Sequence, residues 1–123
     1  MKRNKILIID DEPQIVRALE LLMQREGFDV RSASDGVEAL SAIEDVAPDL
    51  ILLDLMMPRM DGFELCQKIR SNPAWKNMII VILTAKGRDI EREKGMALGA
   101  DHYVTKPFST REVVQLIKSA LEH

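Results

Sequence analysis

Acidic, hydroxyl and ammonium side chains stand at the ends of four apolar segments of the chain. Asp10-Asp11-Glu12 and Asp54 each follow an apolar run, Thr84 ends another, and Lys106 follows a short fifth segment. If these segments are parallel strands, their carboxyl ends meet at one edge of the sheet. Three aspartates, one hydroxyl and one ammonium would then lie close together.

Such a group of side chains favours binding of a metal ion and transfer of a phosphoryl group. Three aspartates in one pocket raise each other's pKa values, and a hard divalent cation removes that conflict. Mg²⁺ prefers oxygen ligands, typically one or two carboxylates together with phosphate oxygens. Lys106 adds a second positive charge and Thr84 adds a donor. A carboxylate nucleophile, a metal ion, an ammonium and a hydroxyl together predict an aspartyl phosphate as the product.

Each of these residues alone has a simpler interpretation. Asp10 or Asp11 suits a helix N-cap, and Asp54 suits a cap of the third helix or a carboxylate facing solvent. Thr84 suits the end of a strand, and Lys106 suits an exposed surface lysine. We set these interpretations aside because four separate strand ends supply matching chemistry.

The elements that must position these residues are predicted by five alternations of apolar run and amphipathic stretch. Strands are predicted at 5–9, 28–33, 49–53, 78–83 and 102–105. The first helix is predicted to begin at Pro13 and to stop at Gly27, and the second to follow the Asp35-Gly36 turn and end at Pro48. The others are predicted from 61 to the break at Ser71-Asn72-Pro73, from 87 to 98, and from 109 or 110 to 121. Two of the strands are apolar on both faces, which is typical of a parallel sheet covered by helices on both sides. Five strands are too few for a barrel of eight. The fold class is therefore α/β, a (βα)5 open doubly wound parallel sheet.

The bulk composition fits one domain over residues 1–123 and excludes some functions. The net charge is −3, which argues against nonspecific binding to nucleic acid. The longest apolar run, around Met78–Leu83, is far shorter than the ~20 residues that cross a bilayer. One cysteine and no signal-peptide pattern favour a cytoplasmic location. Leu121-Glu122-His123 suits either a tag remnant or the native end of a helix.

Six short motifs, in this order and spacing, resemble the response-regulator receiver family, the CheY-like domains. The resemblance covers essentially the whole chain. It rests on Ile8-Ile9-Asp10-Asp11-Glu12, Leu52-Leu53-Asp54-Leu55-Met56-Met57-Pro58, Asp61-Gly62, Leu83-Thr84-Ala85, Gly99-Ala100-Asp101 and Lys106-Pro107-Phe108. It implies a flavodoxin-like strand order of 2-1-3-4-5.

The resemblance also implies a role for each residue of the acidic site. Asp54 would be the phosphorylated residue and, with Asp11, a direct ligand of Mg²⁺, with Mn²⁺ as a possible substitute. Asp10 would bind the metal mainly through water, and the backbone carbonyl of Met56 would complete the protein ligands. Lys106 would pair with the phosphoryl group.

A further set of residues would report the phosphorylation. Thr84 would hydrogen-bond a phosphoryl oxygen, and Tyr103 would turn inward as Thr84 moves. The resemblance implies a cis peptide bond between Lys106 and Pro107. Met56 and Lys86 offer no general base for an attacking water, so we expect slow autodephosphorylation and no other enzymatic activity.

The partners implied by the resemblance are proteins. A sensor histidine kinase or a histidine phosphotransfer protein would supply the phosphoryl group. An output domain or target would bind the surface of the fourth helix, fifth strand and fifth helix. The chain would be a monomer or a phosphorylation-dependent homodimer, with no direct binding to nucleic acid or membrane.

Three other protein classes share part of this pattern. A phosphatase of the haloacid-dehalogenase type needs a second acid two positions after the nucleophile, where this chain has Met56. A dinucleotide-binding domain needs a G-x-G-x-x-G motif after the first strand, which is missing. A degenerate receiver that acts only as an interaction module remains the alternative, although the five polar site residues are all present.

Overall fold

The computed structural model describes residues 4–55, 62–85 and 89–122, which form five β-strands and five α-helices. The strands are β1 (Lys5–Ile9), β2 (Asp29–Ala33), β3 (Leu50–Asp54), β4 (Ile79–Ala85) and β5 (His102–Lys106). The helices are α1 (Pro13–Arg25), α2 (Gly36–Val46), α3 (Gly62–Ser71), α4 (Asp89–Ala97) and α5 (Thr110–Leu121), with a short 3-10 turn at Pro73–Trp75.

The five strands form one parallel sheet in the order β2-β1-β3-β4-β5, which confirms the predicted fold class and strand order. The order reverses between β1 and β3, because the chain first moves outward to β2 and then returns to the other side of β1. The carboxyl ends of β1 and β3 flank this reversal, where ligands of open α/β sheets bind.

Three strands extend further toward this edge than the sequence predicted. Asp54, Thr84 and Lys106 were expected just after their strands, but each lies within its strand. The reason is that the ladder continues past the apolar residues: Asp54 is in register with Leu83, and Thr84 with Thr105. The backbone of the site residues is therefore held by the sheet itself.

Two layers of apolar side chains cover the two faces of the sheet. One layer joins alternate residues of β1, β3 and β4, including Leu7, Ile51 and Ile80, to α2 and α3. The other joins the intervening residues, including Ile8 and Leu52, to α1 and α5. Full burial of one such side chain contributes about 1.5–3 kcal/mol, so this packing fixes the register that aligns the strand ends.

A proline or a polar capping residue starts three of the helices that cover the sheet. Pro13 occupies the first turn of α1, where its missing N–H costs nothing. The Asp35 side chain accepts from Glu38 N at 2.8 Å and begins α2. The Ser109 hydroxyl accepts from Glu112 N at 3.1 Å and begins α5. Within the described residues, no helix has both the length and the apolar character needed to cross a membrane.

Candidate functional site

Three polar side chains are buried at the carboxyl edge of the sheet. Asp54 ends β3 and is 3% exposed, Asp10 directly follows β1 and is 1% exposed, and Thr84 lies near the end of β4 and is 3% exposed. Buried carboxylates need charged or hydrogen-bonding partners, because burying an unpaired charge is costly. The strand ends therefore bring together groups whose burial must be compensated by a neighbour.

Among the described residues, Lys106 is the cation that lies against these carboxylates. Its Nζ donates to Asp54 Oδ2 at 3.4 Å and to Glu12 Oε1 at 3.3 Å, and it lies 3.5 Å from Asp10 Oδ2. The lysine comes from β5, whereas its partners come from β3 and from the segment after β1. The sheet therefore assembles the ion pairs from distant parts of the chain.

The pKa values of Asp10 and Lys106 both rise, for different physical reasons. Burial raises the pKa of Asp10 to about 6, and the nearby Asp54 adds to the rise. The backbone N–H of Glu12, which donates to Asp10 at 2.9 Å, and Lys106 offset part of it. Burial disfavours the Lys106 ammonium, but the charges of Asp54, Asp10 and Glu12 outweigh burial and raise its pKa.

Thr84 carries a buried hydroxyl whose oxygen has no hydrogen-bond partner among the described residues. An unsatisfied buried hydroxyl costs about 1–3 kcal/mol. Such a group often marks a functional site, where a ligand supplies the missing partner. At the end of β4, beside the strand that ends in Asp54, the hydroxyl is available to an incoming anion.

The carboxylates of Asp10, Glu12 and Asp54 fit a divalent cation. One oxygen from each lies within 4.8 Å of the others, and hard cations such as Mg²⁺ prefer oxygen ligands of this kind. Asp10 and Asp54 are two of the predicted metal ligands. Asp11 is not in this group; it borders a small cavity of about 160 Å³ beside Ser34, so its predicted role stays a prediction.

Some predicted residues lie outside the described part of the chain. Met56, the expected carbonyl ligand, is among them, as is Lys86, which was expected to slow hydrolysis. The predicted starts of the third helix at Asp61 and of the fourth at Gly87 also fall there.

Gly62 is described and shows why no larger residue fits at the start of α3. A Cβ atom there would lie 2.7 Å from Leu55 Cα.

Tyr103, the predicted switch residue, points outward in this structure. It lies on β5, 42% exposed, with the Arg92 guanidinium 4.8 Å from its ring centroid. Arg92 Nη1 also donates to the Tyr103 hydroxyl at 3.5 Å. The contact links α4 to β5 next to the strand that carries Thr84.

The peptide bond between Lys106 and Pro107, at the end of β5, is cis.

An apolar groove of about 480 Å³ borders the ion pairs. It runs between α1 and the segment that follows β5. It is lined by Glu12, Gln14, Ile15, Ala18, Leu19, Lys106, Pro107, Phe108 and Thr110. The groove therefore begins at the charged site and continues over apolar side chains.

The sequence pattern did not predict two side-chain contacts at this site, Glu12 with Lys106 and Arg92 with Tyr103. For Glu12 a signal was present, since it directly follows the acidic pair and precedes Pro13 at the start of α1. For Arg92 no pattern indicated the partner, because the contact depends on how α4 lies against β5.

Comparisons with known proteins agree with this geometry. The family model of the response regulator receiver domain matches residues 6–118. The alkaline phosphatase synthesis transcriptional regulatory protein PhoP of Bacillus subtilis is 48% identical over 119 residues, which cover 96% of this chain and 48% of PhoP. This chain therefore spans about half the length of that relative.

Solved structures agree as well. The chemotaxis response regulator CheY4 of Vibrio cholerae superposes with a TM-score of 0.90 at 30% identity, over 96% of this chain and 98% of CheY4. A CheY-like receiver domain protein of Methanospirillum hungatei gives a TM-score of 0.91 at 29% identity, over 98% of this chain and 95% of its own. With its fold, its acidic site and these matches, the chain belongs to the response regulator receiver domain family of two-component systems.

Proposed function

We propose that this domain is a cytoplasmic phospho-acceptor, which takes a phosphoryl group on Asp54 in the presence of Mg²⁺ or Mn²⁺. The donor is a sensor histidine kinase or a histidine phosphotransfer protein. The observation that carries the proposal is the position of Lys106 Nζ, 3.4 Å from Asp54 Oδ2 in a buried acidic pocket. A lysine at that distance serves both to hold the free carboxylate and to bind the phosphoryl group attached to it.

The residues of the chain account for the transfer as follows. An oxygen of Asp54 attacks phosphorus, and the bond from phosphorus to the ring nitrogen of the donor histidine breaks as the new P–O bond forms. Lys106 neutralises negative charge on the phosphoryl oxygens. Thr84 donates its hydroxyl proton in a hydrogen bond to one of these oxygens. A cation held by Asp10 and Asp54 would supply additional charge neutralisation.

The apolar groove beside Lys106 suits the protein donor. A donor histidine can reach Asp54 only if its carrier packs next to the carboxyl edge of the sheet. The groove lies there, between α1 and the segment after β5, and offers Ile15, Pro107 and Phe108 as an apolar surface. We assign this surface to the helix that carries the phosphohistidine, because apolar contacts would fix its distance from Asp54.

Phosphorylation is proposed to act on the surface of α4, β5 and α5. Once a phosphoryl oxygen accepts from Thr84, the end of β4 is drawn toward Asp54. Tyr103 on the neighbouring strand then has room to turn inward, away from Arg92. The phosphoryl group shifts this equilibrium only through its stronger contacts in one of the two states.

The output is proposed to be control of transcription by a linked domain or a separate target. The Bacillus subtilis relative is a transcriptional regulatory protein, of which this chain covers 48%. The domain itself carries a net charge of −3 and is not proposed to bind nucleic acid. It is proposed to exist as a monomer or as a phosphorylation-dependent homodimer.

No enzymatic activity beyond the domain's own phosphorylation and slow autodephosphorylation is proposed. Met56 and Lys86 supply no general base to an attacking water, since a charged lysine cannot accept a proton. The phosphorylated protein, freed of donor, should lose its phosphoryl group slowly when followed by intact mass. A half-life of seconds would contradict this part of the proposal.

Incubation with Mg²⁺ and acetyl phosphate tests the function itself. We expect intact-mass measurement to show a gain of one phosphoryl group in the wild type and none in Asp54→Asn. Asp49→Asn is the matched control, because Asp49 lies at the other end of β3, and it should gain the phosphoryl group. If no gain occurs even with an authentic kinase, the domain is an interaction module.

A further inference from the structure

The Glu12 side chain contacts a distant lysine instead of capping its own helix. Glu12 is the N-cap residue of α1, a position where a side-chain oxygen usually accepts an N–H of the first turn. Its side chain makes no such bond, and Oε1 lies 3.3 Å from Lys106 Nζ, 94 residues away. The backbone is held on both sides, by Glu12 N–H donating to Asp10 Oδ1 at 2.9 Å and by its carbonyl accepting from Val16 N at 3.1 Å.

Lys106 Nζ donates hydrogen bonds to two carboxylates in this arrangement, Glu12 Oε1 and Asp54 Oδ2. A lysine ammonium carries three N–H donors. Among the described residues, three carboxylates lie within 3.5 Å of Nζ, from Asp10, Glu12 and Asp54. Asp10 Oδ2, at 3.5 Å, makes no hydrogen bond among the described residues, so a phosphoryl oxygen that approaches Nζ competes with Glu12 and Asp54 for the ammonium.

Glu12 is the carboxylate that can leave most easily. Its side chain is 57% exposed, whereas that of Asp10 is fully buried and that of Asp54 is 5% exposed. Exposed ion pairs contribute little because water solvates both partners. Asp54 must also stay, since it is the proposed nucleophile. A Glu12 oxygen lies within 4.8 Å of an Asp54 oxygen, so its charge also repels a dianionic phosphoryl group there.

We propose that Glu12 is a displaceable counter-ion of Lys106 that restrains phosphorylation of Asp54. In the resting domain it holds the ammonium at the mouth of the site, and an incoming phosphoryl oxygen replaces it as acceptor. No covalent bond of Glu12 changes in this step. Glu12 is therefore a positioning residue, and its role rests on the function proposed for Asp54.

The Glu12→Gln variant tests this role, because it keeps the shape of the side chain and removes its charge. We expect the initial rate of phosphorylation by acetyl phosphate and Mg²⁺ to rise about two- to fivefold at low salt, the size of one exposed charge interaction. The gain should shrink as salt screens the charge. Glu20→Gln removes the same charge about 12 Å further along α1 and should leave the rate unchanged.

A double variant shows whether Glu12 acts through Lys106. In a Lys106→Gln background, where phosphorylation is slower and is followed by intact mass over longer times, Glu12→Gln should give no further gain. A gain of the same size in both backgrounds would overturn the proposal, since Glu12 would then act by general repulsion. A Glu12→Gln rate equal to that of Glu20→Gln, or slower than the wild type, would overturn it too.

The result also separates this inference from the function on which it rests. If the wild type gains a phosphoryl group and Glu12→Gln is no faster, only the role of Glu12 is wrong. If neither the wild type nor any variant gains a phosphoryl group, the proposed function fails and the role of Glu12 fails with it.

Discussion

At the scale of single residues, the charge balance of the site depends on Lys106 and Asp10. The Lys106 ammonium offsets nearby carboxylates, yet burial still raises the pKa of Asp10 to about 6. The domain therefore holds a carboxyl group that takes up a proton near pH 6, well above the usual range of an aspartate, when no cation is bound. This cost to stability is consistent with a site that binds a cation and an anionic group together.

The raised pKa of Asp10 predicts a pH-dependent cost. An aspartate whose folded pKa of about 6 exceeds its ordinary value of 3.8 stabilises the fold below pH 4. That contribution is lost as pH rises through 6. Asp10→Asn should therefore raise the free energy of unfolding at pH 7 in EDTA by roughly 1–3 kcal/mol. Its urea midpoint should lie above that of the wild type. The advantage should shrink at pH 5.

Urea unfolding followed by the fluorescence of Trp75, the single tryptophan, measures this difference. Asp29→Asn, at an exposed position at the start of β2, is the control and should show no such pH-dependent gain. An Asp10→Asn variant that is less stable than the wild type at pH 7 would show that Asp10 is ionised at little cost in the folded domain.

At the scale of elements, α4 is attached differently at its two ends. After its carboxyl end, Arg70 Nε donates to Gly99 O at 2.7 Å, and Arg70 also pairs with Asp101 at 2.6 Å. Within α4, Gly95 is the buried residue among those described, and a Cβ atom there would lie 2.8 Å from Ile82 Cδ1. Toward the amino end, Arg92 over Tyr103 is a polar surface contact, so this end is the one more easily moved.

The contact between Arg92 and Tyr103 predicts a shift in the switch equilibrium. Arg92→Gln removes the guanidinium from the ring, which weakens the outward position of Tyr103 by about 0.5–1 kcal/mol. Tyr103 is the only tyrosine in the chain, so its ring signals are easily assigned by NMR. These signals should move toward the positions that they take in the phosphorylated wild type. Lys94→Gln is the control, because Lys94 on the same helix lies over Phe63 instead. Equal shifts in the two variants would contradict the assignment.

At the scale of the whole molecule, the fold was predictable because the pattern that predicts it is repeated. Strands β3 and β4 are apolar on both faces, and the segments between the strands have helical spacing. Few arrangements other than an open parallel sheet satisfy both patterns. This arrangement also predicted that Asp10, Asp54, Thr84 and Lys106 share one edge. The individual contacts were not predictable in the same way.

The contacts that were missed depend on side-chain direction and on the length of the ladder. The pattern did not show that Glu12 contacts Lys106, since both side chains have several rotamers. It also did not show that Asp11 lies apart from the three grouped carboxylates. Strands β3, β4 and β5 end later than predicted because backbone pairing continues through polar residues such as Asp54, which hydrophobicity does not reveal.

Docking of a protein donor also belongs to this scale, because it uses α1 and the segment after β5 together. Ala18→Gln places a longer side chain over the apolar groove without disturbing the core, since Ala18 is exposed. We expect transfer from a kinase that phosphorylates the wild type to slow at least about tenfold, about 1.4 kcal/mol. The rate with acetyl phosphate should stay unchanged.

Ala74→Gln, at an exposed position just before β4 and away from the groove, serves as the control for both rates. If Ala18→Gln slows phosphorylation by acetyl phosphate as much as phosphorylation by the kinase, the groove shapes the site itself and does not receive the donor.

Mapping the modified residue is the most direct test of the central claim that Asp54 accepts the phosphoryl group. Borohydride reduces an aspartyl phosphate to homoserine, which tandem mass spectrometry locates in the digested protein. After treatment with acetyl phosphate and Mg²⁺, we predict homoserine at position 54 and aspartate at positions 10 and 11. Homoserine at another position, or none at position 54 in a protein whose intact mass has risen, would contradict the account.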